Sequence, residues 1–232
     1  MKDMKMMRIF NNKNISTFQN IKDQDNLKIN SLICNTYILL SATILFSAFT
    51  AFMGIKYSIF NIGYLSFLIP IIFLILLHIF KNSIIGVFLV FGFSGSLGLS
   101  LSTILNNILQ NESGQILLLF ALLSTGALFL CLSLYVFLFK RTFNFLDNFL
   151  IIGIFLIFAL IIANYFFNLT ILQLIISSLI IIFSSASILY NTSMILNGTE
   201  TNYIMATISL YLNIYNIFSS ILIICLNFFS ND

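Results

Sequence analysis

Seven stretches between Leu32 and Phe229 run for roughly twenty residues each with no Asp, Glu, Lys or Arg deep inside them. A helix needs about twenty apolar residues to cross the hydrocarbon of a bilayer. The stretches cover approximately 32–53, 59–80, 84–105, 115–139, 145–167, 169–189 and 203–229. They are apolar on every face, so the alternation of a transmembrane β-barrel is absent. Helix is then the open-ended structure that satisfies its own backbone hydrogen bonds in lipid. A soluble reading fails on charge. Only 7% of the 232 residues are charged and 60% are hydrophobic, with a mean hydropathy of +1.08, whereas a soluble domain carries about 25% charged residues. The expected fold class is an all-α integral membrane protein with seven transmembrane helices.

The connections are short and hold nearly all the charge. Lys2, Lys5, Arg8, Lys13, Lys22 and Lys28 precede the first span, Lys81 follows the second, and Lys140 and Arg141 follow the fourth. Lys56 alone falls on the other side. Basic residues gather on the cytoplasmic side of membrane proteins, so the N-terminus is expected in the cytoplasm and the C-terminus outside. Residues 1–30 are polar and mixed in charge, too hydrophilic for the start of a signal peptide. They read as a mobile cytoplasmic tail ahead of a seven-helix domain at 31–232.

The polar residues inside the spans are amides and hydroxyls, without the charges expected of proton pumps or voltage sensors. Gly92, Gly95 and Gly98 recur at three-residue steps and mark a helix face that a neighbour can approach closely. Ser177, Ser178, Ser184 and Ser185 form a similar stripe on the sixth span. Packing with interhelical hydrogen bonds is the leading reading of these groups, with a polar path as the alternative. Asn213 and Asn216, three apart, share one face of the last helix. An amide in hydrocarbon must find a partner, which places that C-terminal helix centrally in the bundle. Before it, Asn197–Asn202 reads as a tight loop. Gly198 ends the sixth helix, Thr199 or Thr201 caps the seventh, Glu200 sits where the helix dipole favours an anion, and Asn202 completes the turn.

Cys34, Cys131 and Cys225 lie in widely separated stretches with no pairing spacing, and His78 has no acidic or Cys neighbour. No disulfide partner, metal site or cofactor is therefore expected. Nothing resembles a nucleophile with its base, so an enzyme is the least expected class, and no nucleic-acid partner is foreseen.

The segment from Ile188 to Phe218, containing Glu-Thr-Asn-Tyr at 200–203 and Ala-Thr-Ile-Ser-Leu-Tyr-Leu-Asn-Ile-Tyr-Asn-Ile-Phe at 206–218, closely resembles the C-terminal signature of the Bax-inhibitor-1-like family. Within that family it is most similar to the bacterial YccA branch. Asn35–Leu40, the glycine-rich third span ending at Asn106, and Ala163-Asn164 fit as well. The resemblance implies six helices around a central seventh and a location in the bacterial inner membrane. It also implies that the chain restrains the membrane-bound ATP-dependent protease FtsH, which could grip it through the N-terminal tail. Other members form a calcium leak gated by a carboxylate pair on the sixth and seventh helices. The corresponding positions here are Asn191 and Asn213, and an amide does not titrate in this range. A leak without that pH sensor is the alternative function. A Gly-Pro pair common in the third span of the branch stands here as Ser102-Thr103.

Overall fold

The computed structural model describes the backbone of residues 2–57, 65–110 and 113–229, and the side chains of these apart from residues 2–23, 25, 26, 65–67 and 229. Among the described residues there are seven α-helices and no strand: α1 (Lys2–Tyr57), α2 (Leu65–Phe80), α3 (Ile84–Leu109), α4 (Gly114–Phe139), α5 (Leu146–Phe167), α6 (Thr170–Leu196) and α7 (Tyr203–Phe229). Six are long and apolar enough to cross a membrane, and the apolar part of α2, Leu68–Phe80, is shorter. The first half of the second expected span falls partly on residues 58–64, outside the described residues. The helix α1 carries no break near residue 30, where the sequence suggested a boundary between tail and bundle.

Helix ends follow local chemistry. Ser83 caps α3 by accepting a hydrogen bond from the Ile85 N–H (3.4 Å). Lys140 and Asn168 end α4 and α5 in the left-handed conformation, at φ 47° and 48°, and the Asn168 N–H donates back to the Asn164 carbonyl (2.8 Å). The helices α3 and α6 run beyond their expected spans through Asn106, Asn107 and Asn191. Hydropathy marks only the hydrocarbon-length portion, whereas backbone hydrogen bonding carries a helix on into the polar interface.

Burial is uneven in a way that ranks the helices. Half of the apolar window is buried in α3 and in α7, against 6% in α5. From Asn202 to Asn227 no residue of α7 is exposed. It packs on α1, α3, α4 and α6, while α5 rests chiefly on α6. Two apolar clusters fill the interior. One gathers Leu40, Leu77, Phe93, Leu97, Leu210 and Tyr211, and the other Leu105, Ile108, Leu117, Ile188, Ile217 and Leu222. The helix α7 contributes to both.

The glycines of α3 sit where the bundle is tightest. A Cβ on Gly98 would collide with the Ser47 carbonyl and the Thr50 hydroxyl of α1. One on Gly95 would lie 2.8 Å from the Phe46 ring, and one on Gly92 would meet the Phe73 ring of α2 at 2.5 Å. The stripe is thus shared, with Gly95 and Gly98 against α1 and Gly92 against α2. On α1 the counterpart is Gly54, where a Cβ would lie 2.6 Å from Ser102 Oγ.

Candidate functional site

The α6–α7 junction is built almost entirely from hydrogen bonds that the sequence encodes. Gly198 adopts φ +68°, its N–H donates to Ile195 (3.2 Å), and the Thr199 N–H reaches back to Met194 (3.0 Å). These two bonds close a Schellman end on α6. The Glu200 carboxylate then turns onto its own backbone and accepts from the N–H groups of Thr201 (2.9 Å) and Asn202 (2.8 Å). An anion at the start of α7 meets the positive end of that helix. Glycine is needed at 198 because the left-handed conformation penalises a side chain by about 1–2 kcal/mol. Gly198→Ala is expected to lower stability by about 1 kcal/mol, and Gly198→Asn by less, read from thermal unfolding in detergent.

The cap of α7 is not Thr199 or Thr201 but Asn202. Its side-chain oxygen accepts from the N–H groups of Ile204 (2.9 Å) and Met205 (3.2 Å). Its Nδ2 donates to the Lys81 carbonyl and to Asn82 Oδ1, both at 2.8 Å. One amide therefore caps α7 and ties it to the α2–α3 turn. Beside this junction a groove of about 610 Å³ opens between Lys28, Ile29 and Leu32 of α1 and Asn197, Gly198, Glu200 and Thr201. A smaller one of about 330 Å³ is lined by Ile104, Asn107, Gln173, Ile223, Leu226 and Asn227.

Among the described residues, the serines of the third span bond back onto their own helix. Ser94, Ser96, Ser100 and Ser102 donate to carbonyls three or four residues back in their own helix. Such back-bonding satisfies a hydroxyl in lipid without any neighbour. The same holds for Ser177 and Ser178 on α6. The bonds that do cross between helices come largely from α7. The Thr207 hydroxyl is shared between the Tyr203 carbonyl of its own helix (2.7 Å) and the Thr36 carbonyl of α1 (3.2 Å), and the Tyr211 hydroxyl donates to the Ser94 carbonyl of α3 (3.2 Å). Tyr190 of α6 reaches Asp147 at the start of α5 (3.3 Å). Both residues lie in the 206–218 signature, which did not tell which helix each would reach.

Asn191 and Asn213 are not brought together by a hydrogen bond. Asn191 donates to Ser187 Oγ in its own helix (3.1 Å). Asn213 is buried, and its Nδ2 has no partner. Asn216 is half-buried, and its backbone carbonyl accepts from Ser219 (3.2 Å). Further buried side-chain atoms without a partner are Thr36 Oγ1, Tyr37 Oη, Thr125 Oγ1, Ser133 Oγ, Asn164 Oδ1, Ser184 Oγ and Thr192 Oγ1. Among the described residues no three His, Cys, Asp or Glu side chains converge as a metal set. Cys34, Cys131 and Cys225 are free thiols.

Helices of this length and hydropathy, with a wide apolar outer surface and polar groups turned inward, define a multi-pass integral membrane protein. Residues 29–231 match the model of the family described as Inhibitor of apoptosis-promoting Bax1, and the chain belongs to that Bax inhibitor-1-like family. It is 39% identical over 207 residues to the modulator of FtsH protease YccA of Escherichia coli K12, covering 89% of this chain and 94% of that protein. The corresponding protein of E. coli O6:H1, equally similar, is named inner membrane protein YccA. An uncharacterized membrane protein of Vibrio cholerae is 38% identical over 198 residues, with 84% of this chain and 89% of that one covered.

Proposed function

We propose that this chain modulates an FtsH-type membrane-bound protease from within the bacterial inner membrane, by direct contact or by competing as a slow substrate. The observation that carries this reading is its 39% identity, over nearly the full length of both chains, to a protein named as a modulator of FtsH protease. The proposed topology has seven spans, a cytoplasmic N-terminus and α7 at the centre, supported by the basic residues ahead of α1 and the burial of α7 along its length. In that orientation the groove between Lys28 and Glu200 opens to the cytoplasm, on the side from which α1 enters the bundle. A protease that pulls on a chain end would engage residues 1–30 first.

In cells, turnover of an unassembled FtsH membrane substrate is expected to slow when this protein is present. Deleting residues 1–30 separates the two routes. Restored turnover indicates competition for the protease, and persistent slowing indicates contact through the bundle. The same turnover with and without the protein would sink the proposal.

A further inference from the structure

The groove beside the α6–α7 junction has two walls of different character. Lys28, Ile29 and Leu32 of α1 form one, and Glu200, Thr201 and the end of α6 at Asn197 and Gly198 form the other. The walls meet where a Cβ on Gly198 would lie 3.2 Å from Ile29 Cδ1. Elsewhere they part to enclose about 610 Å³, a volume that suits a small molecule. The depth of the groove follows from α1. The apolar stretch of that helix begins at Leu27, so Lys28 lies at the level of the lipid headgroups and Leu32, about one turn on, at the edge of the hydrocarbon. The lining is therefore charged toward the water and apolar toward the hydrocarbon.

Two opposite charges face this space without bonding to each other. Glu200 Oε1 accepts from the N–H groups of Thr201 and Asn202 rather than from Lys28. Those bonds fix the carboxylate before any ligand arrives, and they leave Oε2 for a partner. The C-terminus of α6 adds the negative pole of its dipole on the same side. An anionic headgroup would suit Lys28 and be repelled by Glu200, and a cation would meet the reverse. A ligand that carries both charges on an apolar body satisfies the whole lining.

We propose that this groove binds a phospholipid whose zwitterionic headgroup ends in a primary ammonium, of the phosphatidylethanolamine kind. Its phosphate pairs with Lys28, its ammonium donates to Glu200, and its first acyl carbons lie against Ile29 and Leu32. A primary ammonium offers three N–H donors, which a quaternary one lacks. A lipid seated there ties α1 to the α6–α7 loop.

Thermal unfolding of the delipidated protein in detergent, at rising concentrations of one lipid, measures each affinity, because a ligand stabilises in proportion to ln(1 + [L]/Kd). Phosphatidylethanolamine is expected to bind about ten-fold more tightly than phosphatidylglycerol or phosphatidylcholine with the same chains. Glu200→Gln keeps an oxygen for Thr201 and Asn202 but removes the charge, and it should abolish that preference. Lys28→Gln should weaken all three lipids alike. Gln173→Ala, in the uncharged groove beside Asn107 and Asn227, should leave the preference as it is. The comparison of lipids on the unsubstituted protein needs no variant to fold. Equal affinity for the three would overturn the proposal and leave the groove to a protein segment. So would a preference that survives Glu200→Gln or is lost in Gln173→Ala. Glycerophosphoethanolamine, the headgroup without chains, should stabilise far less than the lipid, and equal stabilisation would rule the lipid out as the ligand.

Discussion

Gly98→Leu is expected to prevent the bundle from closing, and Gly98→Ala to destabilise it by about 1–3 kcal/mol. The first atoms that a Cβ meets there are the backbone carbonyl of Ser47 and the hydroxyl of Thr50, itself bonded to that carbonyl at 2.9 Å. Backbone cannot swing aside, so α1 and α3 must separate along their shared face, one of the most extensive in the molecule. The neighbouring glycines provide graded controls. At Gly95 the obstacle is the end of the Phe46 ring, and Phe46 is exposed enough to rotate, so Gly95→Ala should cost less. At Gly126 nothing lies within 4 Å of the added carbon. Gly126→Ala should be neutral or stabilising by about 0.5–1 kcal/mol, from helix preference alone. Denaturant titration of the three alanine variants in mixed micelles checks the order. Equal losses at 98 and 126 would mean that helix preference, not close approach, governs this surface.

Asn202→Ala should lower stability by about 2–4 kcal/mol, because four hydrogen bonds end on that amide. Two of them cap α7 and two hold the α2–α3 turn. Asn202→Asp takes the roles apart. A carboxylate still accepts from Ile204 and Met205 but has no N–H for Lys81 and Asn82, and it confronts two oxygens instead. The aspartate variant should therefore retain a formed α7 and lose the tie to the turn. Hydrogen exchange resolves this as fast exchange at residues 81–86 with protection kept at 206–210. Fast exchange in both segments would show that the cap depends on the clamp.

The bulk of the fold was legible because lipid imposes a simple demand. Six of the seven expected spans correspond to long apolar helices, and their starts at Ile84, Gly114 and Tyr203 fall within a residue of the change in hydropathy. The loop Asn197–Asn202 was legible as a loop, and Gly198 as its hinge. The cap within it was not. Thr199, Thr201 and Asn202 can each cap a helix, and the one that does also reaches Lys81 and Asn82, more than a hundred residues away in sequence. The serines of α3 were legible as polar but not in their bonding, since a back-bond to the same helix and a bond to a neighbour look identical in a sequence.

The burial of α7 has a bearing on synthesis. Of the seven helices this one is translated last, yet α1, α3, α4 and α6 all pack on it. Until it emerges, the Thr36 carbonyl and the Ser94 carbonyl, which accept from Thr207 and Tyr211 in the finished protein, have no such donors. Until then the faces of α1, α3, α4 and α6 that meet α7 are uncovered by it. At about 5–20 residues per second, the 27 residues of α7 take roughly one to five seconds to add. Throughout that wait residues 1–30 are already made. A protease that surveys incomplete membrane proteins would meet every molecule of this chain first in its unfinished form.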